Sequence, residues 1–231
     1  MLQNTKELYG HNFTARDGDI GSVKDFFFDD KRWVIRYMVA DTGSWISGRL
    51  VLLSPHAFGS LDRNKKTLSV NLTRKQIESS PAIDSRRPVS RQYEIDYYEY
   101  YGWPAYWTGG ALWGLGGSPL EVPIPQDLLE AKEQQHHRDD KHLRSAREAT
   151  GYAIHATDGQ IGAVSGLMVD DTSWAIEQIS VEAGHWFSGK EILVPTTRVL
   201  RISYEDSAVF VDLTKAGIQH TAAHEVVKAV A

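Results

Sequence analysis

The sequence contains no cysteine among its 231 residues. Disulfide bonds, thiolate metal sites and cysteine nucleophiles are therefore excluded. It also lacks a run of about 20 mostly apolar residues, which a membrane-spanning helix needs, and its first residues lack the apolar core of a signal peptide. A net charge of −5 argues against a nucleic-acid-binding protein, because such proteins usually carry a basic face. Together these absences favour a cytoplasmic globular protein.

Motifs for catalysis are also missing. The sequence has no Gly-x-Ser-x-Gly nucleophile elbow, and its glycine-rich stretch at residues 109–117 lacks the Lys-Ser/Thr ending of a phosphate-binding loop. We therefore predict that the protein is not an enzyme, and we predict no catalytic residue, no cofactor and no metal site.

One strand-and-turn motif occurs twice in the chain, at residues 17–23 and again at 158–164. A shift of 141 aligns residues 10–77 with 151–218 without a gap, and we call these segments the first and second repeats. Identical residues include Gly10/Gly151, Asp17/Asp158, Gly18/Gly159, Ile20/Ile161, Gly21/Gly162, Asp29/Asp170, Asp30/Asp171, Trp33/Trp174, Gly43/Gly184, Trp45/Trp186, Gly48/Gly189, Leu72/Leu213 and Ile77/Ile218. Agreement of glycines and tryptophans over this length indicates an internal duplication.

Each repeat has the pattern of short strands separated by turns, because apolar residues alternate and Asx-Gly pairs punctuate them. In the first repeat the predicted strands cover residues 8–15, 20–28, 33–40, 49–53, 58–62 and 67–72. A short helix follows, since Thr73 and Gln76 have the spacing of a capping box. The second repeat keeps only the Thr214 cap, so its helix should be weaker. Trp33 and Trp174 are expected to plug the two barrels.

The motif Asp-Gly-x-Ile-Gly-x-Val, followed by Asp-Asp, Trp-x-Ile and Gly-x-Trp, resembles the PRC-barrel family. This domain is found in the H subunit of photosynthetic reaction centres and in the ribosome-maturation factor RimM. The resemblance covers both repeats and implies a small six-stranded barrel that docks onto other macromolecules. The sequence therefore predicts a mainly β protein with two PRC-type barrels in tandem, each followed by a short helix.

The predicted domain boundaries follow the repeats. The first barrel is assigned to residues 1–83, the connector to 84–149 and the second barrel to 150–231. The connector holds an aromatic segment at residues 93–113, whose tyrosines recur at helical spacing until Gly102-Trp103-Pro104 ends the helix. It also holds a polar helix at about residues 127–147.

Three interpretations of the aromatic segment are open. The aromatic side chains could pack as core on the first barrel and on a partner copy, form an exposed recognition surface, or insert into a membrane interface. If they are exposed, the segment together with the tryptophans of two equivalent glycine-bounded turns would form a partner-binding surface. Its candidate residues are Trp45, Trp186, Tyr97, Tyr101, Trp103 and Trp107. The two turn tryptophans could instead fold over the barrel mouths as lids.

Polar clusters have structural interpretations that we favour. His136 and Asp140 lie one helical turn apart with His137, Asp139 and His142 nearby, but the interleaved basic residues indicate a solvated helix. The carboxylate pairs Asp29-Asp30 and Asp170-Asp171 fall at predicted hairpin turns, where Asp is favoured for its geometry. Three further histidines have no counterpart in the other repeat, namely His11, His155 and His185.

The sequence favours a non-enzymatic adaptor or assembly module that binds a protein partner and forms a homodimer through its aromatic connector. Three alternatives remain open. These are a ribosome- or RNA-processing factor, a peripheral subunit of a membrane or photosynthetic electron-transport complex, and a ligand-binding protein. The net charge argues against nucleic acid as the partner.

Overall fold

The computed structural model describes residues 1–46, 49–81, 89–120, 143–184 and 191–218. The chain divides into two compact units. The first unit comprises Leu8–Ser145 and Thr172–Ala175, and the second comprises Met1–Glu7, Ala146–Asp171 and Ile176–Ala231. The first unit contains the first repeat, and the second unit contains the second repeat apart from Thr172–Ala175. The linear boundaries predicted at residues 83 and 149 stay a prediction.

Short strands account for most of the regular structure. The elements up to the connector are β1 (Leu2–Asn4), α1 (Thr5–Leu8), β2 (Asn12–Ala15), β3 (Gly18–Asp29), β4 (Val34–Asp41), β5 (Leu50–Leu53), β6 (Phe58–Asp62), β7 (Thr67–Val70), α2 (Arg74–Glu78) and α3 (Arg91–Tyr101). The later elements are β8 (Leu143–Ser145), α4 (Ala146–Ala149), β9 (Ala153–Ala156), β10 (Gly159–Asp170), β11 (Ile176–Ala183), β12 (Glu191–Pro195), β13 (Val199–Ser203) and β14 (Ala208–Val211). A 3₁₀ turn precedes β6 at Pro55–Ala57, and another precedes β13 at Thr196–Arg198.

The two sheets have the same strand order. In the first unit the order is β5-β4-β3-β2-β7-β6, and in the second it is β12-β11-β10-β9-β14-β13. The registers also agree, since Ser22 pairs with Asp41 where Ala163 pairs with Glu182. The predicted fold class, mainly β with two small β units, is confirmed.

Each sheet has a seventh strand, which comes from the residues just upstream of the other repeat. In the second unit, β1 pairs antiparallel with β10, with Leu2 opposite Asp170. In the first unit, β8 pairs antiparallel with β3, with Leu143 opposite Asp29. The shift of 141 relates these two pairings residue by residue. The correspondence between the two halves therefore extends upstream of the repeats, although the sequence analysis did not predict these strands.

The second aspartate of each hairpin pair fixes the seventh strand. Asp171 accepts a hydrogen bond of 3.2 Å from the side-chain amide of Gln3. Asp30 forms a 3.3 Å salt bridge with Arg144, which occupies the position equivalent to Gln3. The turn carboxylates thus also anchor a strand.

Two local predictions are corrected. The strand predicted at residues 8–15 begins only at Asn12, because Gly10 has a φ of +76° and separates α1 from β2. The end of the polar helix predicted at 127–147 is instead β8 followed by α4. The earlier part of that helix, with His136, His137, Asp139, Asp140 and His142, lies outside the described residues.

The hairpin tryptophans do not plug their own barrels. Trp33 and Trp174 have φ of 52° and 60°, so each lies in the turn and not within the strand that follows. Trp33 is half-buried and stacks on Phe28. Trp174 belongs to the first unit, where its indole packs edge-to-face on Phe58 at 5.1 Å and its carbonyl accepts from the Ile35 N–H.

Other local predictions hold. Thr73 and Gln76 form the predicted capping box at the start of α2. The Thr214 hydroxyl accepts from the Gly217 N–H at 3.1 Å, as expected for a helix with one cap. In β7, Leu68 and Val70 face the core.

Candidate partner-binding surface

A segment after the first repeat lies over one face of the first sheet. We call residues 91–119 the cover segment. Its helix α3 begins after Ser90, whose hydroxyl accepts from the Tyr93 N–H, and ends at Gly102, whose φ of +66° suits glycine. The sequence predicted both the helix and its end. The rest of the segment is uncharged.

The cover segment explains why both faces of β4 are buried. All residues from Val34 to Ala40 are buried, whereas a sheet with one wet face would show alternation. The Tyr97 hydroxyl donates to the Leu52 carbonyl at 2.9 Å and accepts from the Ser54 N–H at 3.2 Å. Tyr98 packs edge-to-face on Tyr37. These tyrosines serve as core of the first unit.

Glu94 is a buried carboxylate at the centre of this packing. Its Oε1 accepts hydrogen bonds from the hydroxyls of Tyr37 at 3.0 Å and Tyr106 at 2.5 Å. Its Oε2 lies 2.9 Å from the Arg91 guanidinium. Burial, followed by the charge of Glu94, raises the pKa of the Tyr37 hydroxyl well above its ordinary value. Tyr37 therefore stays protonated and donates to the carboxylate.

Arg36 is a buried cation beneath the same segment. It forms a 3.2 Å salt bridge with Asp29 and donates to the Leu112 carbonyl at 2.7 Å. Its guanidinium lies 3.8 Å from the centroid of the Tyr106 ring and 4.9 Å from that of Trp113. A cation this deeply buried needs such partners, because removing it from water is costly.

His56 is enclosed by rings of the cover segment. Tyr98, Trp103 and Trp113 lie 5.1–5.6 Å from it between ring centroids. Its Nδ1 is 2.5 Å from the Pro119 carbonyl, a distance that fits a neutral imidazole donating its N–H. Burial, assisted by the nearby Arg36 charge, lowers the pKa of His56 to about 4.

The outer edge of the cover segment keeps part of its aromatic surface in solvent. We call Tyr101, Trp103 and Trp107 the aromatic rim, and all three are half-buried. The rings of Tyr101 and Trp103 stack at 4.5 Å with planes 13° apart. Trp107 packs on Tyr98 and lies under the Arg91 guanidinium at 4.5 Å. Stacking on a buried aromatic base holds the rim in one arrangement.

The remaining predicted surface residues differ in their placement. Tyr97 is completely buried, because its ring fills the interface between α3 and the sheet, so we remove it from the candidate surface. Trp45 is half-buried in its turn, with the Arg74 guanidinium 4.4 Å above the ring. Trp186 lies outside the described residues. For the residues other than Tyr97, binding to a partner stays a prediction.

The next residues to place are the aspartates and histidines that the sequence offered as polar candidates. Asp29 accepts hydrogen bonds from the N–H groups of Lys31 and Arg32, both at 3.1 Å, which fits the predicted turn role. His11 is buried, His155 stacks on Phe210, and His185 lies outside the described part. Within the described ranges, no group of three or more His, Asp or Glu side chains is placed to hold a metal ion. No helix in that part of the chain is long and apolar enough to cross a membrane.

Sequence reasoning missed the buried polar residues of the first unit. Arg36 interrupts an otherwise apolar strand pattern, and this interruption was a usable signal for a covered cation. Glu94 gave no such signal, because a glutamate among tyrosines on a helix also fits an exposed face. Only the cover segment brings Glu94, Arg36 and His56 together.

Comparison with known protein families identifies a match to part of the chain. Residues 145–218 match the model of the PRC-barrel domain family. The match covers the second repeat, and the first repeat shares the strand order of that matched region. No curated protein matches the sequence. The chain therefore contains a PRC-barrel domain at residues 145–218.

Proposed function

We propose that this protein is a non-enzymatic cytoplasmic adaptor that docks onto a protein partner through the aromatic rim. The PRC-barrel domain at residues 145–218 supports a binding role, because domains of this kind serve protein interaction and assembly. The observation that carries the proposal is the stacked pair of Tyr101 and Trp103 at the edge of solvent. Tyrosine and tryptophan dominate the energetics of protein interfaces.

The rim is suited to binding because it is already ordered. Tyr101 and Trp103 each contact buried Tyr97, at 4.9 Å and 6.0 Å between ring centroids. A partner that covers these rings would lose little side-chain entropy on binding. Three large apolar side chains in the cover segment or next to it in sequence are also exposed, namely Tyr100 (42%), Leu115 (43%) and Leu120 (61%). These residues would extend the contact area.

The test begins with identification of a partner, followed by measurement with purified proteins. The tagged chain is purified from its native cells, and the protein that accompanies it is then titrated against wild-type and variant chains. We expect Trp103→Ala and Trp107→Ala each to weaken binding at least about tenfold, or about 1.4 kcal/mol. Tyr204→Ala is the matched control, because Tyr204 is a half-buried aromatic residue outside the cover segment.

Equal affinity of the wild-type chain and both tryptophan variants would contradict the proposal. Thermal unfolding and near-ultraviolet circular dichroism of each variant separate a lost contact from a lost fold. Turnover of a small substrate by the purified wild-type chain alone would argue for an enzyme instead.

A second copy of the chain is the first partner to examine, and we propose that the protein forms a homodimer through the rim. Light scattering at micromolar concentration should give the mass of two chains for the wild type and one for Trp103→Ala/Trp107→Ala. A wild-type mass of one chain would contradict the homodimer and leave the docking of a different protein intact.

A further inference from the structure

The second unit has an open cleft of about 460 Å³ on its sheet. Its lining residues are Leu2, Asp170, Glu177, Gln178, Pro195 and Thr197. The shift of 141 places these at the positions of Leu143, Asp29, Arg36, Tyr37, Ser54 and His56 in the first unit. The last four of those residues contact the cover segment directly. The cleft is therefore the counterpart of the surface that the cover segment occupies.

Burial differs between the two sets of positions. In the first unit, five of the six side chains are buried and His56 is half-buried. In the second unit, Leu2, Glu177 and Thr197 are exposed, and the other three lining residues are half-buried. The first unit thus shows that a polypeptide segment fits this place on the fold, and the described part of the second unit leaves it open.

The charge at the centre of the site is reversed between the units. Arg36 neutralises Asp29 in the first unit, whereas Glu177 occupies the position of Arg36 in the second. Asp170, the counterpart of Asp29, has the Met1 α-ammonium 3.2 Å away. The negative charge of the cleft therefore rests mainly on Glu177, which is exposed. A carboxylate at this position attracts a cation and disfavours phosphate groups or acidic segments.

The other lining residues indicate what kind of cation fits. Leu2 and Pro195 offer apolar contact to the methylene stem of a lysine or arginine. Gln178 and Thr197 offer an amide and a hydroxyl that can hydrogen-bond to an extended backbone. In the first unit the cover segment likewise adds a backbone contact at this place, through the carbonyl of Leu112 to Arg36.

We propose that this cleft binds a short extended basic segment of a protein partner, with a lysine or arginine side chain beside Glu177. This site is separate from the aromatic rim, so either proposal can fail without the other. The first unit, whose corresponding surface is covered, would not bind such a segment.

The test is a nuclear magnetic resonance titration of the full ¹⁵N-labelled chain. The probe is the peptide acetyl-Ala-Lys-Leu-Arg-Ala-amide, and its counterpart carries Glu in place of Lys and Arg. We expect the basic peptide to shift the amide signals of Glu177, Gln178 and Thr197, and the acidic peptide to leave them unchanged. Glu177→Gln should weaken binding at least about fivefold, because it removes the facing charge.

Glu182→Gln is the matched control, since Glu182 is an exposed acid on the same strand but outside the cleft. Its affinity for the basic peptide should equal that of the wild type. Glu177→Arg, which restores the charge found in the first unit, should abolish binding. The proposal is wrong if the cleft amides do not shift, if Glu177→Gln and Glu182→Gln weaken binding equally, or if both peptides bind alike. Shifts of the cleft amides with protein concentration alone would assign the cleft to a second copy of the chain and also overturn the proposal.

Discussion

Asn4 packs against Gly166 so closely that a β-carbon at Gly166 would lie 2.2 Å from the Asn4 side-chain oxygen. In the first unit the sizes are reversed, since Ser145 stands at the position of Asn4 and the larger Asp25 at the position of Gly166. The Ser145 hydroxyl donates to Asp25 at 2.5 Å. The backbone N–H of the residue after Gly166 and that of the residue after Asp25 also have different acceptors. Leu167 donates to the Thr5 hydroxyl, whereas Phe26 donates to the Asp25 carboxylate. Each seventh strand is thus matched to the sheet that receives it.

This match predicts a coupling between the two positions. Gly166→Asp alone should lower the free energy of unfolding by about 2 kcal/mol, because the new side chain overlaps Asn4. Asn4→Ser/Gly166→Asp copies the first pair and should recover most of that loss. Urea unfolding of the two single variants and the double variant gives the coupling energy. Strict additivity of the two changes would show that the pair is not matched in size.

Gly21 and Gly162 lie at a close approach between strands that leaves no room for a side chain. A β-carbon would meet the Asp41 carbonyl oxygen at 2.0 Å or the Glu182 carbonyl oxygen at 2.2 Å, and neither backbone can easily move. We expect Gly21→Ala and Gly162→Ala each to cost about 3 kcal/mol or more. Gly10→Ala is the control, because no atom lies within 4 Å of the added β-carbon. Its loss of unfolding free energy, about 1 kcal/mol, comes only from the φ of +76°. Thermal and urea unfolding measure the difference, and similar losses at all three positions would refute it.

The buried salt bridge between Arg36 and Asp29 predicts a large effect of removing one charge. Asp29→Asn keeps a turn acceptor but leaves the Arg36 cation buried without its partner carboxylate. We expect a loss of about 3 kcal/mol in unfolding free energy. Lys24→Ala, which removes an exposed ion pair of 3.5 Å with Asp41, should cost less than about 1 kcal/mol. A loss for Asp29→Asn no greater than for Lys24→Ala would mean that water reaches Arg36.

His56 predicts a dependence of stability on pH. Its pKa is about 4 in the folded chain and near 6.5 in the unfolded chain, so the unfolded chain binds this proton first as the pH falls. Stability should therefore be complete above pH 6.5, fall between pH 6.5 and 4, and change no further from this group below pH 4. The total loss from this one group is about 3 kcal/mol. The unfolding free energy of His56→Gln should change less steeply with pH in that window. Parallel pH profiles of variant and wild type would contradict the assignment.

Local pattern was sufficient to predict much of the fold. Strand β6 was predicted with its observed bounds, and the capping box at Thr73 and the glycine end of α3 were also anticipated. These features depend on neighbours a few residues apart, so the sequence contains them directly. The family resemblance followed from turn residues of the same kind and is confirmed for the second repeat.

Features that depend on distant parts of the chain were not predictable in this way. Strands β1 and β8 have three residues each, too few for a periodic pattern to be recognised. The position of Trp174 in the first unit depends on a turn that leaves its own repeat. Likewise, an aromatic residue such as Tyr97 has the same sequence pattern whether it faces solvent or a sheet. Burial was decided by the cover segment, and no local rule describes its path.

The seventh strands limit how this protein can be shortened. A cut that follows the linear repeats would leave the first half without Leu143–Ser145 and the second half without Leu2–Asn4. Each fragment would then expose a strand edge with unpaired backbone groups, which favours aggregation. Dissection of this protein by truncation should therefore carry the short strand along with the sheet that it completes.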